Sequence, residues 1–186
     1  MEQTPEKKTQ EPTAKYDVAD HNREVGLVCT QWAYLEWLLE VAIWWFRGLL
    51  AEGTPDSERD AATADMPVSS LADQACNLAT SKLTETDELA AMDGIRRRIK
   101  AVVDERNLAV HGVRSLLPDE TVVARVTRGK YKGTLQRLPM IRLRSLNAEI
   151  ARIIAVFEPL LYKHGVIEGI TAITEHEQKA HQGYPT

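Results

Sequence analysis

The stretch that decides the fold is residues 25–50, which read VGLVCTQWAYLEWLLEVAIWWFRGLL. It contains no proline, and its only glycines are Gly26 and Gly48. Apolar residues recur every three or four positions, which is the spacing of one helix face; they are Val25, Val28, Trp32, Leu35, Leu39, Ile43, Phe46 and Leu50. A long helix is therefore predicted from about residue 16 to residue 50.

A second apolar stripe follows another side of the same helix, through Leu27, Tyr34, Leu38, Val41, Trp45 and Leu49. Two stripes indicate a helix that is covered on more than one side. All four Trp residues lie in this helix, and aromatic-rich surfaces are typical of protein interfaces. Burial inside the bundle and a homodimer interface over residues 25–50 both explain the second stripe, and the homodimer is the favoured prediction.

A membrane span is not expected in this helix. Glu36 and Glu40 interrupt the apolar run, so it stays shorter than the roughly 18 uncharged residues that a span needs. No membrane partner is therefore predicted.

The rest of the chain reads as further helices around a short β-rich segment. A polar loop is predicted over residues 51–67, and helices over about 68–82 and 86–111, the second ended by Gly112. The next three short runs are rich in β-forming residues and separated by turns, which predicts a β-hairpin or three-stranded meander within about 113–140. Helices are predicted again over about 144–164 and 167–179.

These patterns predict a mainly all-α protein, a bundle of four to five helices with a small β-hairpin insertion. A length of 186 residues fits one domain, expected over residues 16–182 between tails at 1–15 and 183–186. The polar N-terminal tail is expected to be disordered rather than a secretory signal. Cys29 and Cys76 show no CxxC spacing, which favours reduced thiols and a cytoplasmic location over a disulfide framework or a zinc site.

Charge is divided unevenly along the chain. Residues 1–93 carry 7 Lys and Arg against 18 Asp and Glu, whereas residues 94–144 carry 13 against 4. A basic region of this kind favours a polyanion such as RNA, and the candidate contacts are Arg97, Lys100, Arg114, Lys130 and Lys132. An acidic half paired with a basic half inside one fold explains the same numbers.

The segment Arg106-Asn107-Leu108-Ala109-Val110-His111 holds the candidate chemistry, at the end of the helix predicted over 86–111. Asn107 lies four residues before His111 and shares its helix face, so it could orient the imidazole. Asp104 lies on that face too, and with the helix dipole it would favour the charged imidazole. Arg106 lies round the helix from His111. The two are expected to converge on one phosphate only through a distorted helix end or a second subunit.

This segment resembles the Arg-x4-6-His signature of the HEPN superfamily, in the form in which a polar residue, here Asn107, follows the arginine. The superfamily is all-helical, carries the motif near the end of a late helix, and in some members has a small β insertion directly after the histidine. The expected fold is therefore a HEPN-like bundle.

The resemblance implies a metal-independent endoribonuclease that needs no cofactor, with two motifs meeting across a homodimer. The 2′-hydroxyl of RNA would attack the adjacent phosphorus while His111 moves protons and Arg106 stabilises the phosphorane. Arg106, Asn107 and His111 are the implied catalytic set, with Asp104 in support. A toxin held by an antitoxin or another partner protein, or an antiviral effector, fits this reading.

The alternative is a non-catalytic dimeric HEPN-like module that binds nucleic acid or a protein. Arg106 would then be an ion-pair partner of Glu36 or Glu40, and His111 would bond the last carbonyls of its helix. A zinc site is not predicted, because the segment from His176 to His181 has one residue too many for an HExxH motif.

Overall fold

A computed structural model describes residues 18–51, 53–116, 122–125 and 132–167 of the chain. In chain order these residues form four helices, three strands and a fifth helix. Their bounds are α1 Val18–Arg47, α2 Asp56–Thr63, α3 Val68–Ala79, α4 Thr86–His111, β1 Val113–Leu116, β2 Val122–Arg125, β3 Leu135–Arg137 and α5 Met140–Lys163. The predicted class, mainly helical with a small β insertion, is confirmed. The predicted tails lie outside the described residues, as does the predicted helix over 167–179 apart from Ile167.

Helix α1 is the central helix, since it packs mainly against α3 and α5 and, over a shorter length, against α4 and α2. The first predicted stripe is buried from Val25 to Phe46, as its helical spacing requires. The second stripe divides: Leu38 and Val41 are fully buried within the chain, whereas Leu27 is 44% exposed. Burial inside the bundle therefore explains only part of that stripe.

The four tryptophans of α1 all have partners in the same chain. Trp32 is buried in the core, and the other three are half-buried against it. Their partners are the Arg59 carbonyl for the Trp44 indole N–H (2.8 Å), Phe46 and His164 for the Trp45 ring, and Tyr34 for the Trp37 ring. Much of the aromatic surface that favoured a homodimer is thus used inside the bundle, and the homodimer stays a proposal.

The polar loop predicted over residues 51–67 is wrong in its middle, where residues 56–63 form α2. Pro55 precedes the helix with extended backbone, and Asp56 and Glu58 place negative charge in the first turn, where the helix dipole favours it. Trp44 then holds the short helix through its hydrogen bond to the Arg59 carbonyl. The polar composition concealed these helix-start signals.

The helices predicted over 68–82, 86–111 and 144–164 are confirmed as α3, α4 and α5, to within a few residues. Helix α5 begins four residues before its predicted start, directly after Pro139, which has extended backbone. It is joined to α1 by hydrogen bonds from Asn147 to Glu24 and to α4 by the ion pair of Arg142 with Glu105.

The three strands form an antiparallel sheet in the order β1-β2-β3, which confirms the predicted meander. Strand β1 starts directly after α4, and Val113 pairs with Arg125 of β2. Val123 of β2 in turn pairs with Arg137 of β3. This register places the backbone of Arg125 beside a residue that lies two positions beyond His111.

Gly112 ends α4 as predicted, but its reason is close packing rather than a left-handed conformation. Its φ is −66°, which other residues adopt readily. A Cβ at this position would lie 2.4 Å from the Leu108 carbonyl oxygen and 2.9 Å from the Cβ of Ala124. Only glycine lets β2 pack this closely against the end of the motif helix.

Gly112→Ala is therefore expected to destabilise the fold by about 1–3 kcal/mol, the usual cost of overpacking. Urea unfolding followed by circular dichroism measures the change. Gly94→Ala is the matched control, because a Cβ there meets nothing within 4 Å; that variant is expected to be up to about 1 kcal/mol more stable, as alanine favours a helix interior. Equal stability of Gly112→Ala and wild type would contradict the packing argument.

At the other end of α4, Glu88 anchors the end of α5. Its carboxylate is buried and lies 2.7 Å from the Lys163 ammonium and 3.0 Å from Nε2 of His164. The hydrogen bonds from Lys163 and then from His164 hold the pKa of Glu88 below its usual range, against the opposing effect of burial.

This lowered pKa predicts a loss of stability in acid. Because the folded-state pKa lies below that of the unfolded chain, about 4.3, the contribution of Glu88 is present above that value and lost as pH falls through the folded-state pKa. Glu88→Gln is expected to be less stable at pH 7 and to show a shallower fall in stability below about pH 5. Urea unfolding between pH 3 and 7 measures both, with the exposed neighbour Asp87→Asn as control. An unchanged slope in Glu88→Gln would refute this role.

No helix in the described part of the chain combines the length and the apolar character needed to cross a membrane. Cys29 and Cys76 are both free, and Cys29 is exposed.

Candidate active site

The motif occupies the last two turns of α4. Leu108 and Ala109 are buried in the core, and their burial sets which face of this end of α4 points away from the bundle. Arg106 and Asn107 are consequently half-buried, and His111 is exposed in the last turn. The motif therefore lies at the edge of the bundle, where a ligand has access to it.

Arg106 and His111 meet within one chain. The Arg106 Nη1 atom lies 3.0 Å from Nε2 of His111, and it also donates to Oδ1 of Asn107 at 3.2 Å. The prediction that the two need a distorted helix end or a second subunit to converge is wrong for this contact. Helix α4 continues through His111, and the long arginine side chain reaches round the helix surface.

The Arg106 contact restricts the state of one ring nitrogen of His111. A guanidinium has donors and no acceptor, so Nη1 of Arg106 can donate to Nε2 only while that nitrogen holds a lone pair. The expectation that Asp104 and the helix dipole favour the charged imidazole stays a prediction. The sequence did not reveal that a guanidinium lies 3.0 Å from this ring.

Asn107 and Asp104 differ from their predicted places. The Asn107 amide oxygen accepts a hydrogen bond from Arg106, so Asn107 helps to hold the arginine. Asp104 is exposed and lies seven residues before His111, a helical rise of about 10.5 Å. In the described part of the chain Asp104 forms no hydrogen bond or ion pair with His111, which leaves it only a long-range electrostatic influence.

Trp32 of α1 completes the site and was not predicted as part of it. The guanidinium carbon of Arg106 lies 5.2 Å from the centre of the Trp32 ring, within the range of a cation–π contact. Trp32 is 1% exposed, and its indole N–H donates to Oε1 of Glu36 at 2.8 Å. Seventy-four positions separate Trp32 from Arg106, so no local motif could have revealed the pair.

The alternative that Arg106 is an ion-pair partner of Glu36 or Glu40 finds no contact to support it. Glu36 accepts from Trp32 instead. Burial, then the charges of Glu36 and Asp60, raise the pKa of Glu40 above its usual value. Within the described residues no carboxylate forms an ion pair with Arg106, and the Nε atom of Arg106 is buried with no hydrogen-bond partner.

The predicted nucleic-acid contacts on α4 are neutralised inside the chain. Arg97 pairs with Asp93 at 3.0 Å, and Lys100 pairs with Asp73 at 2.7 Å. Much of the basic character of residues 94–144 therefore balances the acidic half of the same fold, as the alternative explanation held. Of the other predicted contacts, Arg114 lies in β1, Lys132 is exposed beside the sheet, and Lys130 lies outside the described residues.

Two arginines of the sheet are better placed for a polyanion than those of α4. Arg125 and Arg137 are exposed, and neither forms an ion pair with any of the residues that the structure describes. The strand register places Arg125 opposite Val113, next to the end of the motif helix. This position follows from the pairing of β1 with β2, which residue counting along the sequence did not specify.

The described residues contain no group of three or more His, Cys, Asp or Glu side chains placed to hold a metal ion, and the segment from His176 to His181 lies outside them. Comparison of the chain with protein-family models, curated proteins and solved structures gave no match.

Proposed function

We propose that this protein is a HEPN-type, metal-independent endoribonuclease whose active centre is built on Arg106 and His111. The observation that carries the proposal is the pair itself. A histidine and an arginine that has no carboxylate partner among the described residues lie 3.0 Å apart at an exposed helix end. A neutral imidazole accepts a proton, and an arginine whose charge is not neutralised binds a phosphate.

The reaction that fits these two groups is transesterification of RNA. Nε2 of His111 takes the proton of a 2′-hydroxyl, whose oxygen forms a bond to the adjacent phosphorus as the bond to the 5′-oxygen breaks. Arg106 donates to the phosphate oxygens, which gain charge in the transition state. The products are a 2′,3′-cyclic phosphate and a 5′-hydroxyl.

The phosphate must displace Arg106 from His111 before this proton transfer. In the free chain Nη1 of Arg106 occupies the lone pair of Nε2 that the base needs. A bound phosphate competes for the same donor through a stronger, charge-assisted hydrogen bond. Substrate binding and activation of His111 are thereby coupled in one step.

The proposal includes a second copy of the chain. The leaving 5′-oxygen needs a proton, and a neutral His111 already acting as base does not supply it. A second His111, in its protonated form, would be that donor if two motifs face each other across a homodimer. Trp32 is flanked on α1 by the exposed residues Cys29 and Ala33, whose small size would let a second helix approach.

The interface is tested by placing a large charge on it. Ala33→Arg is expected to convert a dimer to a monomer in sedimentation velocity and to lower cleavage at least about 10-fold, because a buried unpaired charge costs several kcal/mol. Arg23→Ala, an exposed change about three turns away on α1, is the control. A monomeric Ala33→Arg variant with undiminished cleavage would show that one chain suffices.

The activity itself is tested on single-stranded RNA in EDTA. The purified chain is expected to cut this RNA without a divalent cation. The products are expected to end in a 2′,3′-cyclic phosphate, which does not react as a free 3′-phosphate until the ring is hydrolysed. Complete dependence on added Mg²⁺ would refute the mechanism. Binding of the RNA without cleavage would instead support the non-catalytic module. The ion pairs of Arg97 and Lys100 give an RNA-binding role of that module little support.

A further inference from the structure

We infer that Trp32, held by Glu36, is a positioning residue that fixes the Arg106 guanidinium at the active centre without neutralising its charge. The inference rests on the proposed function for its catalytic consequence, while its structural part stands on the contacts alone. It concerns α1, which carries no part of the motif.

The contacts that hold Arg106 are unusual for an arginine. A half-buried arginine normally has a carboxylate partner, because burying an unpaired charge is costly. Arg106 has none among the described residues, and its Nε atom is buried without a partner. The guanidinium contacts the Trp32 ring at 5.2 Å, the Asn107 amide oxygen and Nε2 of His111.

An aromatic ring and a carboxylate hold an arginine in different ways. The negative face of an indole attracts a cation but does not take up its hydrogen-bond donors. A carboxylate in the same place would satisfy those donors and compete with a phosphate. An aromatic ring therefore stabilises the arginine in position while leaving its N–H groups for an anion.

Glu36 holds the Trp32 ring in place. The indole N–H of Trp32 donates to Oε1 of Glu36 at 2.8 Å, one helical turn away on α1. The Trp32 ring is 1% exposed in the core, and this hydrogen bond also fixes its rotation. A charged acceptor on the N–H also increases the electron density of the ring, which strengthens its attraction for Arg106.

The position of Arg106 is measured directly by the Nε–Hε resonance of its side chain in the ¹⁵N-labelled protein, assigned with an Arg106→Lys variant. The ring of Trp32 is expected to shift this resonance upfield, and Trp32→Phe is expected to retain most of the shift. Trp32→Leu is expected to return it to the range of exposed arginines. An unchanged resonance in Trp32→Leu would overturn the inference.

Because Trp32 is buried, Trp32→Leu risks partial unfolding, and Glu36 provides a second pair of variants at a half-buried position. Glu36→Gln keeps an acceptor for the indole and is expected to keep the shifted resonance. Glu36→Leu removes the acceptor and is expected to broaden or move it. Identical spectra for Glu36→Gln and Glu36→Leu would show that the bond has no positioning role.

Cleavage of single-stranded RNA gives the functional arm. In Trp32→Leu, kcat/KM is expected to fall about 10-fold, equivalent to about 1.4 kcal/mol, with Trp32→Phe restoring most of it. If wild type does not cut RNA, the proposed function fails while the resonance still decides the positioning role. If cleavage stands and Trp32→Leu leaves kcat/KM unchanged, the positioning role fails alone.

Discussion

His111→Ala is expected to lower the rate of RNA cleavage by about 10²- to 10⁴-fold, the usual contribution of a general base. The effect should lie in kcat rather than in RNA binding, because the imidazole acts on the 2′-hydroxyl during reaction and Arg106 remains to hold the phosphate. His111 is exposed, so its loss should not unfold the chain. Initial rates on single-stranded RNA in EDTA, with circular dichroism as a check on folding, measure the change.

His164→Ala is the matched control for this variant. His164 pairs with Glu88, near the start of α4, about 35 Å along that helix from His111. Its removal is expected to leave the cleavage rate of the folded protein unchanged. A His111→Ala variant that cuts as fast as wild type would remove His111 from the chemistry.

Arg106→Ala is expected to lower cleavage by about 10²- to 10³-fold, comparable to the loss of one donor to a developing oxyanion. It removes the donor to the phosphate and at the same time frees Nε2 of His111 from its contact. The variant therefore removes both roles of Arg106 at once, and initial rates on single-stranded RNA in EDTA measure the combined loss.

Arg106→Lys is expected to recover little of this loss, because an ammonium lacks the flat guanidinium that stacks on Trp32 and forks toward a phosphate. Arg152→Ala is the control, an exposed arginine that pairs with Glu149 at 2.9 Å. Full activity in Arg106→Lys would show that charge alone matters at this position.

Regular spacing of apolar residues was enough to predict most of the fold. The 3–4 spacing between Val25 and Phe46 identifies the buried face of α1, and each of those positions is buried in the bundle. The β-rich composition of the runs after residue 112, and the turn residues between them, predicted the sheet. Helix α2 escaped prediction because a mostly polar segment of eight residues carries little periodicity. Pro55, the acidic first turn and a bond to Trp44 stabilise it.

The candidate site was predictable only in its local part. The order of Arg106, Asn107 and His111 along α4 is visible in the sequence, and the structure places all three together. The contact of Arg106 with Trp32 depends on how α1 and α4 pack, and no spacing within either helix encodes it. The same holds for Lys100, whose charge is cancelled by Asp73 of another helix, and for Arg125, which β-pairing brings beside the motif.

The most direct test uses a DNA strand that contains a single ribonucleotide, incubated in EDTA with wild type and with His111→Ala. Only that residue has a 2′-hydroxyl, so attack on the adjacent phosphorus has one possible site. Wild type is expected to cut once, on the 3′ side of the ribonucleotide, and leave a 2′,3′-cyclic phosphate, whereas His111→Ala leaves the strand intact. Cleavage at deoxynucleotides, or equal cutting by both proteins, would contradict a ribonuclease centre built on Arg106 and His111.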